Sequence, residues 1–168
     1  MKTKFFGNLV FVLCAVALIT IAYSCKSDDT VVTPSGPDAN SINGTLTFVD
    51  TGFVSTGGTY LIAAYSSWPP TAGPSSYDTV RISRNSSTGK WNQSYSYKLS
   101  NVANGNYAVS VGFRKNTGGQ SPIMGVYGCD TTHNSCVVTT TSRATITNNA
   151  GVTGIDFKCW ADTTKKLY

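Results

Sequence analysis

The segment "YGCDTTHNSC", residues 127–136, brings together the side-chain types in this sequence that could do chemistry. Cys129 and Cys136 enclose a short polar loop, and two cysteines this close most simply form a disulfide if the chain is exported. The alternative is a metal site that adds Asp130 and His133 to the two thiols. That spacing matches no established zinc pattern, so we predict a disulfide between Cys129 and Cys136, no metal and no cofactor.

The same loop holds the one histidine of the chain, His133, through which ordinary triad or general-base catalysis would have to run. The sequence contains no "GxSxG" motif. It also contains no Glu, so a glycosidase with paired carboxylates would need two Asp residues, and none of them lies in a suggestive context. A small hydrolase is therefore the least favoured hypothesis, and we predict that the protein is not an enzyme.

The N-terminus has the pattern of an export signal. Lys2 and Lys4 precede an apolar run over residues 5–22, Cys25 comes after Tyr23 and Ser24, and the polar "KSDD" follows the cysteine at once. A run of about 20 apolar residues is also long enough for a membrane-spanning helix. The cysteine and the acidic residues directly after the run favour a cleaved signal.

Residues 22–25, "AYSC", resemble the lipobox of bacterial lipoproteins in a relaxed form, and "CKSDD" is similar to the surface-export signal of Bacteroidetes lipoproteins. The resemblance implies that Cys25 becomes the lipidated first residue of the mature protein. It also implies anchorage at the bacterial outer membrane, with the domain at the cell surface or facing the periplasm. We predict a signal peptide over 1–24, a lipidated flexible tether over 25–40 and a folded domain over 41–168.

The folded domain has the composition of an all-β protein, rich in Thr, Ser, Asn, Gly, Val and Tyr. Apolar alternation and regularly spaced turn residues predict a single seven- to eight-stranded sandwich of the immunoglobulin or prealbumin-like kind. The predicted strands are 41–50, 58–67, 77–83, 91–99, 107–113, 123–128, 137–147 and 152–160.

Three stretches of the domain resemble carboxypeptidase-regulatory-like or Cna-B-like domains, which are prealbumin-like sandwiches: "INGTLTF", "YKLSNVANGNYAVSVGF" and "GVTGIDF". The resemblance implies a stalk, a spacer or an adhesive module that sometimes binds sugars. Some of these domains carry a Lys–Asn isopeptide bond, for which Lys98 or Lys158 with Asn149 is conceivable. The acid that promotes such bonds is usually a Glu, so we do not predict one here.

Two aromatic residues are the candidates for partner binding. Trp68 and Tyr77 flank the proline-rich loop "SSWPPTAGPSSY", residues 66–77, and rings on stiff loops can stack on sugars or anchor a protein. The alternative for Trp68 is a plug over one end of the sandwich. Cys159 is expected inside the sandwich as a small apolar residue, although pairing with a loop cysteine stays open.

The basic residues of the domain are scattered singly, which is not the clustered basic face that nucleic-acid binding requires. We therefore expect no nucleic-acid partner. The expected partners are the membrane, through the lipid, and an envelope protein or a glycan. The second hypothesis is a purely structural spacer or subunit of a cell-envelope assembly.

Overall fold

The computed structural model describes residues 36–50, 57–118, 122–129, 139 and 142–165, and it confirms the predicted all-β sandwich. The residues in the gaps include Cys25, His133 and Cys136, so the predictions for these three lie outside the described residues. The described strands are β1 (Ile42–Phe48), β2 (Gly58–Tyr65), β3 (Ser76–Val80), β4 (Ser94–Leu99), β5 (Gly105–Lys115), β6 (Ile123–Val126), β7 (Ala144–Ile146) and β8 (Phe157–Cys159).

The strands form two sheets. Sheet A has the order β4-β1-β8, with β1 antiparallel to β4 and parallel to β8. Sheet B has the order β3-β2-β5-β6, and β7 also pairs with β5. Because β2 occupies one edge of β5, β6 and β7 must share the other edge, at Ser110–Gly112 and at Gly105–Tyr107 respectively.

The core lies between the sheets and follows the alternation seen in the sequence. Ile42, Leu46 and Phe48 of β1 are buried, while the residues between them are only half-buried. Val109, Val111 and Phe113 of β5 face them from sheet B. Each such side chain contributes about 1.5–3 kcal/mol when it is fully buried, so this alternation decides which face of each strand turns inward.

The sandwich has an entry end and a far end. At the entry end, the chain joins the fold through Asn40, whose N–H donates to the Asn149 carbonyl (2.9 Å) and whose carbonyl accepts from the Val102 N–H (2.9 Å). At the far end, β1 finishes and β2 begins. There the rings of Phe48, Tyr60 and Phe113 pack edge to face, with 5.0 Å between the centroids of each successive pair.

The predicted strand 152–160 is interrupted. Val152 bridges to Ile42, and pairing resumes where Phe157 meets Leu46, so the outer segment carries one residue more than β1 over this interval. The Asp156 carboxylate accepts the Thr45 N–H at 2.6 Å, in place of a carbonyl of the ladder. This bulge requires Gly44, since a Cβ there would lie 2.6 Å from the Ile155 carbonyl carbon.

Trp91 begins the predicted strand 91–99 but lies outside β4, which starts at Ser94. It is half-buried and bridges to Arg84 in the connection between β3 and β4, with the guanidinium 4.2 Å from the centre of its ring. The indole therefore stabilises an exposed hairpin rather than the core.

Candidate functional site

The outer face of sheet B carries both aromatic residues that the sequence singled out. Strand alternation turns Leu61, Ala63 and Tyr65 of β2 outward, with Ala108 and Ser110 of β5 beside them. The small residues on this face are covered, because Ala63 is 4% exposed, Ala108 0% and Ser110 1%. Other parts of the chain therefore cover this face over β5 and over Ala63 of β2, and they leave it open over β3, where Tyr77 and Thr79 are exposed.

Trp68 supplies part of the cover. It is half-buried and packs against the cluster formed by Ile123, Val126 and Cys129. Its ring lies 5.9 Å from that of Tyr65, and the bond to Pro69 is cis. The plug interpretation therefore describes part of what Trp68 does, although it covers a sheet face rather than an end of the sandwich.

Tyr77 is the exposed member of the site. It lies on the edge strand β3 directly opposite Ala63, and 63% of its surface is exposed. Tyr65 lies diagonally across the strand pair, at about 7–8 Å by ordinary sheet geometry. Tyr65, Trp68 and Tyr77 together form a surface that we call the aromatic patch.

Sequence reasoning missed Tyr65, because it ends an almost continuous apolar run that resembled a fully buried strand. Burial raises the pKa of its phenol. The hydroxyl therefore stays protonated at neutral pH and can serve as a hydrogen-bond donor beside the two other rings.

The connection between β3 and β4, residues 81–93, forms an exposed hairpin that we call the basic arm. It carries Arg81, Arg84 and Lys90, and all three are exposed. The backbone N–H of Asn85 donates to the Lys90 carbonyl at 2.8 Å, which closes the hairpin. The arm joins the sandwich at the far end, where the Gln93 carbonyl accepts the Phe48 N–H at 2.8 Å.

A second surface, which the sequence did not predict, is a polar groove lined by residues of sheet A and by Asp78 of β3 in sheet B. Its volume is about 580 Å³, and its lining includes Thr45, Ser96, Asp78 and Asp156. Thr45 and Ser96 are direct cross-strand partners. Lys98 also lines the groove and forms an ion pair with Asp38, so the isopeptide arrangement of Lys98 with Asn149 finds no support here.

The structure describes two cysteines, Cys159 and Cys129, and both are buried. Cys159 is fully buried in the core, as expected, and is free; burial raises the pKa of its thiol. Cys129 is buried just after β6. Its pairing with Cys136 stays a prediction, because Cys136 lies outside the described residues.

Within the part of the chain that the structure describes, no group of three or more His, Cys, Asp or Glu side chains could hold a metal ion. Among the same residues, no helix is both long and apolar enough to cross a membrane. No protein-family model, no curated protein and no solved structure matches the chain. The aromatic patch therefore has to be interpreted from its own geometry.

Proposed function

We propose that this chain is a non-catalytic, lipid-anchored binding module of the bacterial outer membrane. Cys25 carries the lipid, and the aromatic patch holds an envelope protein or a glycan at the cell surface. The observation that supports the binding role best is the 63% exposure of Tyr77, which lies diagonally across the strand pair from Tyr65, whose ring is 5.9 Å from that of Trp68.

The patch has the physical properties of a docking surface. Tyr77 keeps a large ring in water, whereas every other large apolar side chain that the structure describes is buried or half-buried, Val49 at 36% exposure excepted. Aromatic rings dominate the binding free energy of many interfaces, because they bury much area and lose little conformational freedom. Trp68 and Tyr65 are held by packing, so a partner would meet a preformed surface.

The lipid anchor is supported by the sequence alone. Two or more acyl chains on Cys25 give durable attachment, at ~0.8 kcal/mol per buried CH₂ group. The described fold begins at residue 36 and is tied in at Asn40. The tether that the sequence predicts over residues 25–40, rich in small polar residues and proline, would then join the lipid to the folded domain.

The test is a glycan array and a pull-down of envelope proteins with the full chain and two variants. Tyr77→Ala should weaken binding about tenfold or more if the ring is a buried contact in the complex. Tyr77 is exposed, so this change should leave folding intact. Val49→Ala is the matched control, because it truncates the other exposed large apolar side chain, outside the aromatic patch.

A ligand whose affinity falls with Tyr77→Ala and not with Val49→Ala would support the binding role. A stable complex that co-purifies equally well with all three proteins would contradict it. That result would favour the structural spacer or subunit instead.

A further inference from the structure

The fold gathers at its far end basic residues that are scattered in the sequence. Val80 of β3 and Phe113 of β5 both pair with Tyr60, so Arg81 and Arg114 follow in the next row of the sheet, one on either side of β2. Both are exposed. By strand alternation, Arg81 lies on the same face as Tyr77, and Arg114 on the same face as Ser110.

The basic arm extends this cationic region beyond the sheet. Arg84 lies before the turn of the arm and Lys90 after it, and Trp91 holds the Arg84 guanidinium at 4.2 Å from the ring centre. The ring contact fixes the guanidinium without neutralising it. The charge at this end therefore stays available to a ligand.

The described acidic residues do not offset this charge. By strand alternation Asp78 lies on the opposite face of β3 from Tyr77, and it lines the polar groove together with Asp156. Asp50 pairs with Lys165 at 3.0 Å, and the backbone N–H and hydroxyl of Thr164 both donate to Asp162. Among the described residues, no carboxylate forms an ion pair with Arg81 or Arg114.

We propose that the ligand of this face is an anionic polysaccharide. One sugar ring stacks on Tyr77, and carboxylate or sulfate groups farther along the chain contact Arg81, Arg84 and Arg114. Four residues of strand separate Tyr77 from Arg81, about 13 Å, so the ligand has to be a chain rather than a single sugar. This inference rests on the proposed binding role of the aromatic patch and adds the charge of its ligand.

The same geometry explains why a polymer is required. An exposed ion pair contributes little by itself and is screened by salt. Several such pairs along one chain act together with the stacked ring, because each contact after the first is intramolecular.

The experiment measures binding of the full chain, in detergent, to polygalacturonate, to neutral dextran and to poly-L-glutamate. We expect binding to polygalacturonate that weakens as NaCl is raised, with much weaker binding to the other two polymers. Arg81→Gln and Arg114→Gln should each weaken it by about 2–5-fold, and Tyr77→Ala by about tenfold. Lys158→Gln is the matched control, because it removes an exposed cation from the outer face of sheet A.

Three results would overturn the proposal: equal binding of polygalacturonate and polyglutamate, a loss with Lys158→Gln as large as with Arg81→Gln, or no binding of polygalacturonate. A neutral glycan or a protein bound through Tyr77, with no effect of the arginine changes, would also overturn it while leaving the proposed binding module intact. Binding that depends on the arginines and is unaffected by Tyr77→Ala would contradict both. Matching circular dichroism spectra of all variants establish that each is folded.

Discussion

The close approach of β6 to β8 at Gly125 gives the most quantitative prediction for the sandwich. A Cβ at this position would lie 2.6 Å from the Lys158 carbonyl oxygen and 2.7 Å from the Cys159 Cβ. Neither atom can move freely, because one belongs to the backbone and the other to a fully buried side chain. Gly125→Ala therefore has to push the edges of the two sheets apart.

The cost follows from the contacts that this displacement would disturb. Overpacking of a dense interior costs about 1–3 kcal/mol. The Trp160 N–H donates to the Met124 carbonyl at 2.9 Å across the same junction, and losing that hydrogen bond costs about another 1 kcal/mol. Together these two effects should make Gly125→Ala lower the free energy of unfolding by about 2–4 kcal/mol.

Urea denaturation followed by tryptophan fluorescence measures this change, and Gly112→Ala is the matched control. Gly112 lies on the neighbouring strand, where an added Cβ would meet nothing closer than the Pro122 carbonyl oxygen at 3.5 Å, an ordinary contact. The control should change the free energy of unfolding by less than about 0.5 kcal/mol. If the two variants unfold at the same urea concentration, the steric argument for the β6–β8 junction is wrong.

Three further predictions concern single groups. Tyr97→Phe removes the hydroxyl that donates to the buried Ile155 carbonyl at 2.6 Å, so urea titration should show a loss of about 1–3 kcal/mol; Tyr77→Phe, at an exposed ring, should show almost none. Burial raises the pKa of the Cys159 thiol, so the native thiol should resist iodoacetamide near the ordinary thiol pKa of about 8.5 and react only in urea. At a pH above the ordinary thiol pKa, the unfolded Cys159 thiol ionises while the native one stays protonated, so the free energy of unfolding should fall as the pH rises. A free energy of unfolding that does not change over this pH range would contradict this. Intact-mass spectrometry of the membrane-extracted protein should show a chain that starts at Cys25 with fatty-acyl groups, and a retained leader would contradict the lipid anchor.

Local alternation made the fold class and most strands predictable. In β1 and β4 the buried residues occupy alternate positions, as the sequence indicates, because one face of each strand meets the core. The break at residues 153–156 was not predictable, since it depends on the Asp156 carboxylate replacing a carbonyl of the ladder. The start of the predicted strand 91–99 was also wrong. The residues around Trp91 alternate as in a strand, but Trp91 itself bridges to Arg84 outside the sheet.

The candidate site was predictable only in part. Trp68 and Tyr77 were identified because they flank a proline-rich loop, whereas Tyr65 joins them only through strand pairing. Arg81 and Arg114 are far apart in the sequence, and nothing local shows that their strands finish in the same row. Such groupings depend on which strands become neighbours, and that is decided by the packing of the whole sandwich.

The placement of β1 has a mechanical consequence. The chain enters the fold at the start of this strand, at the entry end. The strand is hydrogen-bonded on both sides, to β4 and to β8. If the entry end is held by a tether and a load is applied at the far end, the force runs along the strand axes and across hydrogen bonds that are roughly perpendicular to it. Those bonds would then have to shear together rather than peel apart one by one, which is the arrangement that best resists pulling.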